Sequence, residues 1–255
     1  MGKIVFITGA SSGFGKAAAY KFAASGYDLI LNARRTERLE ELAAELGSKF
    51  NCAVLTLPFD VSEEKAVFDS IASIPDEWKA IDVLVNNAGL AAGRDYFDEA
   101  SLDDWNTMID TNIKGVLYVA RAVTALMIPR KSGHVINLGS IAGKEVYDKG
   151  NVYCATKSAV DAISQAMRID LLRHSIKVTC IHPGAAETEF SMVRFKGNEE
   201  AAKKVYEGIT ALQAEDVADV IYYCASLPPH VCINDLVLTC LQQANSFYIN
   251  RNSNP

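Results

Sequence analysis

The sequence predicts an α/β fold: a single doubly wound parallel sheet of about seven strands with helices on both faces. Three observations carry this. Short β-branched runs, several almost continuously apolar, recur along the chain, as expected of parallel strands covered on both faces. Amphipathic helical stretches separate them and can carry right-handed crossovers. A glycine-rich loop joins the first run to the first helical stretch, where a doubly wound sheet makes its first turn.

The strand-like runs are 4–7 (IVFI), 28–32 (DLILN), 53–57 (AVLTL), 82–86 (DVLVN), 133–138 (GHVINL), 176–181 (IKVTCI) and 235–240 (DLVLTC). The helical stretches are 13–25, 36–47, 63–73, 102–128, 152–173, 198–208 and 215–226. In the second, Leu39, Leu42, Ala43 and Leu46 share one face, and Gly47 is the expected terminator. Ser62 and Ser101, each followed by acidic residues, read as N-caps of the third and fourth. Residues 185–208 break the alternation after Pro183-Gly184 and read as a flap. The polar, Asn-rich tail from Asn245 is either disordered or docked on a partner subunit.

Composition narrows the function classes. With 255 residues and neither a repeat nor a low-complexity linker, 1–255 reads as a single domain. Lys plus Arg number 25 against 31 Asp plus Glu, so the net charge of −6 argues against a nucleic-acid partner, which needs a basic face. The six cysteines form no CxxC pair and the four histidines show no zinc spacing, so neither a disulfide framework nor a metal is expected. No apolar run approaches 18 residues and no leader pattern opens the chain. The expectation is a reduced, soluble, cytoplasmic protein without a membrane partner.

Thr8-Gly9-Ala10-Ser11-Ser12-Gly13-Phe14-Gly15 lies between the first strand and first helix. Glycines there permit a tight turn and close backbone approach to a pyrophosphate, and the helix N-terminus offers free N–H groups. Gly9, Ser11, Ser12, Gly13 and Phe14 are thus candidate dinucleotide contacts. The second strand ends in Asn32-Ala33-Arg34-Arg35, without the acid that holds a ribose 2′-hydroxyl in NAD enzymes. Two guanidiniums suit a 2′-phosphate, which points to NADP.

Tyr153 and Lys157 lie four apart at the start of a helical stretch, hence on one face. A phenol has a pKa of about 10, and moving it near 7 takes roughly 4 kcal/mol. An adjacent ammonium, together with the positive charge of an oxidised nicotinamide, supplies such a shift. Ser140 follows the fifth strand, at the carboxyl edge where open α/β sheets bind ligands, and can hold a substrate oxygen while Tyr153 exchanges its proton.

Together, the TGxxxGxG of Thr8–Gly15, Asn86-Asn87-Ala88-Gly89, Asn112, Ser140, Tyr153-xxx-Lys157 and Pro183-Gly184 resemble the short-chain dehydrogenase/reductase family, in its order and approximate spacing over essentially the whole chain. The resemblance implies a Rossmann-type fold and a catalytic set of Ser140, Tyr153, Lys157 and Asn112. Tyr153 would be the general acid/base, Ser140 would orient the reacting oxygen, Lys157 would bind the nicotinamide ribose and lower the Tyr153 pKa, and Asn112 would hold a relay water. Asp60 and Val61 would contact adenine, and Asn87, Ala88 and Gly89 would line the adenosine side. Pro183, Gly184 and the segment to Thr188 would close over the nicotinamide. Phe14 departs from the family's usual Ile and bears only on the loop's fine geometry.

Residues 86–91, 104–105, 110–112 and above all 189–198 (EFSMVRFKGN) are similar to a narrower branch, the NADP-dependent serine and 3-hydroxy acid dehydrogenases. That implies oxidation of the 3-hydroxyl of small acids such as L-serine, L-allo-threonine or 3-hydroxyisobutyrate, and a homo-oligomer, with a tetramer favoured. Besides Ser140 and Tyr153, Arg194 is a candidate substrate contact: a hydroxy acid needs a cation for its carboxylate, with Lys196 a possible assistant. A surface or intersubunit salt bridge is the alternative for Arg194. Reduction of another small ketone, sugar or diketone with NADPH is the rival within the class, and a non-catalytic NADP sensor the rival outside it.

Overall fold

The computed structural model describes residues 2–251. Seven strands form one sheet: β1 (Ile4–Thr8), β2 (Asp28–Ala33), β3 (Val54–Pro58), β4 (Ile81–Asn86), β5 (Gly133–Leu138), β6 (Ile176–Pro183) and β7 (Asp235–Leu238). Their order is β3-β2-β1-β4-β5-β6-β7, and every neighbouring pair is parallel. β1 pairs with β2 on one side and β4 on the other, so the connections leaving this point run in opposite directions and open a crevice at the carboxyl ends.

Alternation within the strands builds two cores. Val5, Ile7, Leu29 and Leu31 face α1 (Gly13–Ala24) and α2 (Thr36–Phe50), with Ala17, Phe22, Leu39 and Leu46 packed against them. Ile4, Phe6 and Ile30 face the other way, toward α3 (Glu64–Ala72), the helix α5 (Val116–Met127) and the end of α6 (Asn151–Leu171), while α4 (Leu102–Ile109) packs on the start of α6 through Met108; Val67, Ile71, Val119 and Met127 close that side. Two short flap helices follow, α7 (Glu189–Arg194) and α8 (Glu199–Lys204). The last helix, α9 (Ala214–Ser226), returns to the first core through Val217, Ile221 and Cys224.

Several local expectations are corrected. α2 runs through Gly47 to Phe50, and Asn51 ends it in the left-handed conformation at φ 51°. The Phe50 ring meets Tyr20 edge-on at 6.3 Å, which anchors the extra turn. Ser62 does not cap α3: its hydroxyl donates to Asp60 Oδ1 at 2.8 Å, and the helix starts at Glu64. Ser101 does cap α4, accepting from the Asp104 N–H at 3.5 Å. The stretch read as one helix over 102–128 contains a π-helical turn, Asp110–Gly115, between α4 and α5. Helix in 198–208 is confined to α8; beyond it the Tyr206 hydroxyl draws the chain inward by donating to Ala186 O at 2.8 Å. β7 ends at Leu238, two residues short of expectation.

The tail is ordered through Arg251, whose guanidinium donates to Val205 O at 3.2 Å, and a bridge joins Gln243 to Ile249. The remainder of that expectation, 252–255, lies outside the described residues.

Phe22 is fully buried and joins α1 to α9, its ring lying 5.0 Å from Tyr27 and 5.5 Å from Tyr222 in edge-to-face contacts. Phe22→Ala is expected to cost about 3–5 kcal/mol in urea-induced unfolding; a loss below about 1 kcal/mol would show that this seam does not hold the first core together.

Candidate active site

A cavity of about 760 Å³ opens at the carboxyl ends of the strands. The glycine loop forms one wall. Gly9 and Gly13 have φ of +65° and +50°, a region unfavourable to side chains. A Cβ on Gly15 would stand 2.3 Å from the Gly9 carbonyl oxygen, so this position requires the close approach that only glycine permits. Ser12 precedes α1 without a side-chain cap, leaving the first-turn N–H groups directed at the cavity wall and available to phosphate oxygens.

Thr8 and Asn87 tie this loop to β4. The Asn87 and Ala88 N–H groups donate to Thr8 Oγ1 at 3.0 and 2.9 Å, and Asn87 Nδ2 donates to Thr8 O at 2.8 Å. Farther along, Arg34 and Arg35 line the cavity with their side chains largely open to solvent. Arg34 pairs with Asp60 at 3.4 Å; Arg35 donates to Ser11 Oγ at 3.1 Å and pairs with Glu189 at 3.3 Å, and Arg38 joins the same carboxylate at 3.1 Å. Burial raises the Asp60 pKa, but hydrogen bonds from Ser62 and the Arg34 guanidinium outweigh it and hold the carboxyl below its usual range.

Ser140 leaves β5 in extended conformation and starts the single turn Ile141–Gly143. Its Oγ accepts from the Ala142 N–H at 3.1 Å, and its hydroxyl donates to Pro183 O over a long 3.5 Å, a weak bond that a ligand oxygen in the cavity can replace. Tyr153 and Lys157 project from the first two turns of α6 and are 8% and 7% exposed. Lys157 Nζ donates to Leu138 O at 2.8 Å, and burial lowers its pKa to about 8. Tyr153 behaves opposite to expectation: burial, with Tyr147 nearby, pushes its phenol above the ordinary value, while Ser140 and Arg194 work against this incompletely. A burial penalty that falls on both members of the pair exceeds what the protein's own cations return.

All the predicted residues from Gly9 to Thr188 named as cofactor contacts line this cavity, as do Ser140, Tyr153, Lys157 and Arg194. Asn112 does not line it. Its amide, presented by the π-helical turn, accepts from the Leu90 N–H at 2.8 Å and donates to Leu90 O at 2.7 Å and Thr156 Oγ1 at 3.1 Å, pinning the Gly89-Leu90 wall to α6. Lys196 is outside as well, its ammonium 2.8 Å from Asp104.

Arg194, the last residue of α7, reaches back into the site. Nη1 donates to the Tyr147 hydroxyl at 2.9 Å, the guanidinium carbon lies 5.5 Å from the Tyr153 ring centre, and Nη2 is buried without a partner. Ser246 Oγ is a second buried polar atom without a partner, and it lines the same cavity with Gln243 and Tyr147. The sequence offered no signal for these three: Tyr147 and Gln243 sit in stretches of no special pattern, and Ser246 belongs to the tail read as disordered or docked on a partner subunit.

A family model described as short chain dehydrogenase matches residues 3–199. The chain belongs to that family. It is accordingly an oxidoreductase, with Ser140, Tyr153 and Lys157 gathered at one end of its cleft. An NADP-dependent 3-hydroxy acid dehydrogenase of Salmonella typhi is 47% identical over 242 residues, 94% of this chain and 96% of that protein. Sulfoacetaldehyde reductase 2 of Chromohalobacter salexigens is 46% identical over 253 residues, 98% and 100% of the two chains. Among solved structures, the closed form of serine dehydrogenase complexed with NADP+ superposes with a TM-score of 0.90 at 45% identity, covering 95% of this chain and 97% of that one.

Lys157 loses proton affinity on folding, from 10.5 to about 8, so the unfolded state binds the proton more tightly. The penalty is full below about pH 8 and fades toward pH 10.5. Lys157→Met therefore stabilises the cofactor-free protein relative to wild type most at pH 7, with the difference in Tm shrinking by about pH 10; a difference that grows with pH would show that the ammonium is not held against its solvation.

Proposed function

We propose that this dehydrogenase transfers hydride between NADP and the 3-hydroxyl of small 3-hydroxy acids of the L-serine, L-allo-threonine and 3-hydroxyisobutyrate type. The observation that carries the substrate class is Arg194: a half-buried guanidinium whose Nη2 is buried and unpartnered, beside the Tyr153 ring and in the same cavity as the unpartnered Ser246 hydroxyl. A buried donor without an acceptor costs about 1–3 kcal/mol, and more when charged, so this pair suits an anionic ligand group. The relatives named for 3-hydroxy acids and for serine support a carboxylate there.

The cleft fits NADP on its own terms. Gly9, Gly13 and Gly15 clear room for a pyrophosphate at the uncapped start of α1. Ser11, Ser12 and Phe14 border it, and Arg34 and Arg35 offer cations where a 2′-phosphate would lie. Of the other lining residues, Asp60 and Val61 would meet the adenine, Asn87, Ala88 and Gly89 the adenosine side, and Pro183, Gly184 and Thr188 the nicotinamide. The cofactor supplies the hydride acceptor or donor.

The chain's own residues handle the proton and the geometry. Ser140, its Oγ already accepting from Ala142, donates to the substrate oxygen and fixes its direction. Tyr153 takes the hydroxyl proton during oxidation and returns it during reduction. Because burial holds the phenol above its ordinary pKa, it becomes a base only when positive charge is added beside it. An oxidised nicotinamide would bring that charge, and Lys157, anchored on Leu138 O, would hold the nicotinamide ribose beside the phenol. Asn112 contributes by holding the Leu90 wall, and a relay water belongs to the same reading. Arg194 anchors the carboxylate and thereby sets which carbon faces the cofactor.

The same reading makes the protein a cytoplasmic homotetramer. Exposed Leu117 on α5, Ile169 on α6 and Leu172 just beyond it offer apolar surface for self-association, and no helix among the described residues is long and apolar enough to cross a membrane.

A spectrophotometric panel tests the proposal, with NADP+ and NAD+ each paired with L-serine, D-serine, L-allo-threonine, 3-hydroxyisobutyrate and 3-hydroxypropionate. NADP+ should be preferred, and at least one 3-hydroxy acid should turn over. Arg194→Ala should then lower kcat/KM for that acid by about tenfold or more, the worth of a charged hydrogen bond. Preference for NAD+, silence on every acid, or a change within twofold for Arg194→Ala would overturn the corresponding part.

A further inference from the structure

Behind the Ser140 turn lies a polar cluster, buried at His182 and open to solvent at Lys144 and Asp235, that the reaction above does not use. His182, immediately before Pro183, is fully buried. Its Nε2 stands 2.6 Å from Asp235 Oδ1 at the start of β7 and 3.8 Å from Asp161 Oδ1 on α6. Its Nδ1 stands 3.2 Å from the carbonyl oxygen of Ser140. Lys144 Nζ bridges the two carboxylates, 2.9 Å from Asp161 and 3.0 Å from Asp235. Asp161, Cys180, His182 and Asp235 bring their ligand atoms within 4.8 Å of one another, and the two carboxylates already share the Lys144 ammonium.

The cluster joins four segments that meet at the reacting end of the cleft. Lys144 follows the Ser140 turn by one residue, His182 leads into Pro183-Gly184, and Asp235 opens β7. Asp161 extends the face that begins with Tyr153 and Lys157 at intervals of four. Space around the ring is fully used: a Cβ on Gly139 would stand 2.5 Å from His182 Nδ1. The Ser140 carbonyl also accepts from the Gly143 N–H at 2.9 Å, and the Gly139 N–H donates to Ile181 O at 2.8 Å.

Both ring nitrogens of His182 face acceptors. Nε2 lies within hydrogen-bond distance of the Asp235 carboxylate and Nδ1 within that of the Ser140 carbonyl, so the ring ties the start of β7 to the Ser140 turn. The charged and titratable groups facing the ring are Asp235, Asp161, Lys144 and Cys180. Burial, then Lys144, hold the ring's pKa below its ordinary value, and Asp235 and the Ser140 carbonyl offset this only in part.

We propose that His182, braced by Asp235, is a positioning residue for Ser140, fixing the backbone of the Ser140 turn so that its hydroxyl meets the reacting oxygen. The proposal rests on the catalytic reading of Ser140. Its removal lowers kcat and spares cofactor binding, because no atom of the ring lines the cleft.

The test is a double-mutant cycle on the full-length enzyme, with kcat measured on the best substrate of the panel and the Kd for NADPH measured by fluorescence. His182→Ala should lower kcat by about ten- to a hundredfold and leave the NADPH Kd within about twofold. His182→Asn, whose amide nitrogen can stand where Nδ1 stands, should recover kcat to within about threefold. In a Ser140→Ala background, His182→Ala should change kcat by less than about twofold, since the ring acts through a hydroxyl no longer there. Unchanged kcat in His182→Ala, or an equal loss in both backgrounds, overturns the proposal. If His182→Ala fails to fold, Asp235→Asn replaces it in the same cycle and the same non-additivity decides. Ser140→Ala at wild-type kcat would overturn the catalytic reading itself, an outcome visible before His182 is touched.

Discussion

The site depends on one small lock at the centre of the sheet. Thr8 ends β1 and Asn87 follows β4, and four hydrogen bonds pass between their backbones and side chains or through the neighbouring Ala88 and Gly9. These bonds sit where the chain reverses its direction of winding, so the backbone on both sides lacks sheet partners beyond this point. By satisfying one another, Thr8 and Asn87 hold the crevice open without burying orphaned groups. Gly15 then packs down on Gly9 O, and α1 starts at the height the crevice requires. The cofactor wall, the Ala88-Gly89 wall and, through Asn112, the catalytic helix all take their positions from this lock.

Around it the protein maintains groups in states that water would not favour. Lys157 is held with a single carbonyl partner, Tyr153 is held above its ordinary pKa, and Arg194 and Ser246 present atoms with nothing to bond. Each costs stability in the protein alone, and each is a group that gains when charge or a polar ligand arrives. Such costs are bearable because the two cores that flank the sheet are packed with fully buried aliphatic and aromatic side chains. Stability lies in the layers, and unsatisfied chemistry is collected along the seam between them.

The parts of this arrangement legible in the sequence were those set by local rules. Strand runs such as IVFI and IKVTCI need burial on both faces, the glycine loop needs its backbone freedom, and Tyr153 with Lys157 needs only helical spacing. Features set by distant partners were not legible. Gly47 looks like a helix end, yet the Phe50 ring finds Tyr20 and carries α2 onward. Ser62 looks like a cap, yet Asp60 takes its hydroxyl. Lys196 looks like an assistant to Arg194 for an anion, yet its left-handed backbone after α7 turns it to Asp104. Tyr147, Gln243 and Ser246 enter the cavity through loops whose course depends on the finished fold.

The π-helical turn at Asp110–Gly115 has a consequence for counting. Regular helix advances about 100° per residue, and the turn absorbs one residue more than an α-helical turn does. Upstream of it, Met108 is buried and Trp105 Nε1 reaches Asn151 at 3.2 Å; downstream, Val116, Val119 and Val123 face the core. Deleting any one residue in the turn would leave a perfectly good helix, yet it would swing one of these faces by about 100° and carry Asn112 away from Leu90. The length of this segment is therefore as strict a requirement as any side chain in it, a constraint written in spacing alone.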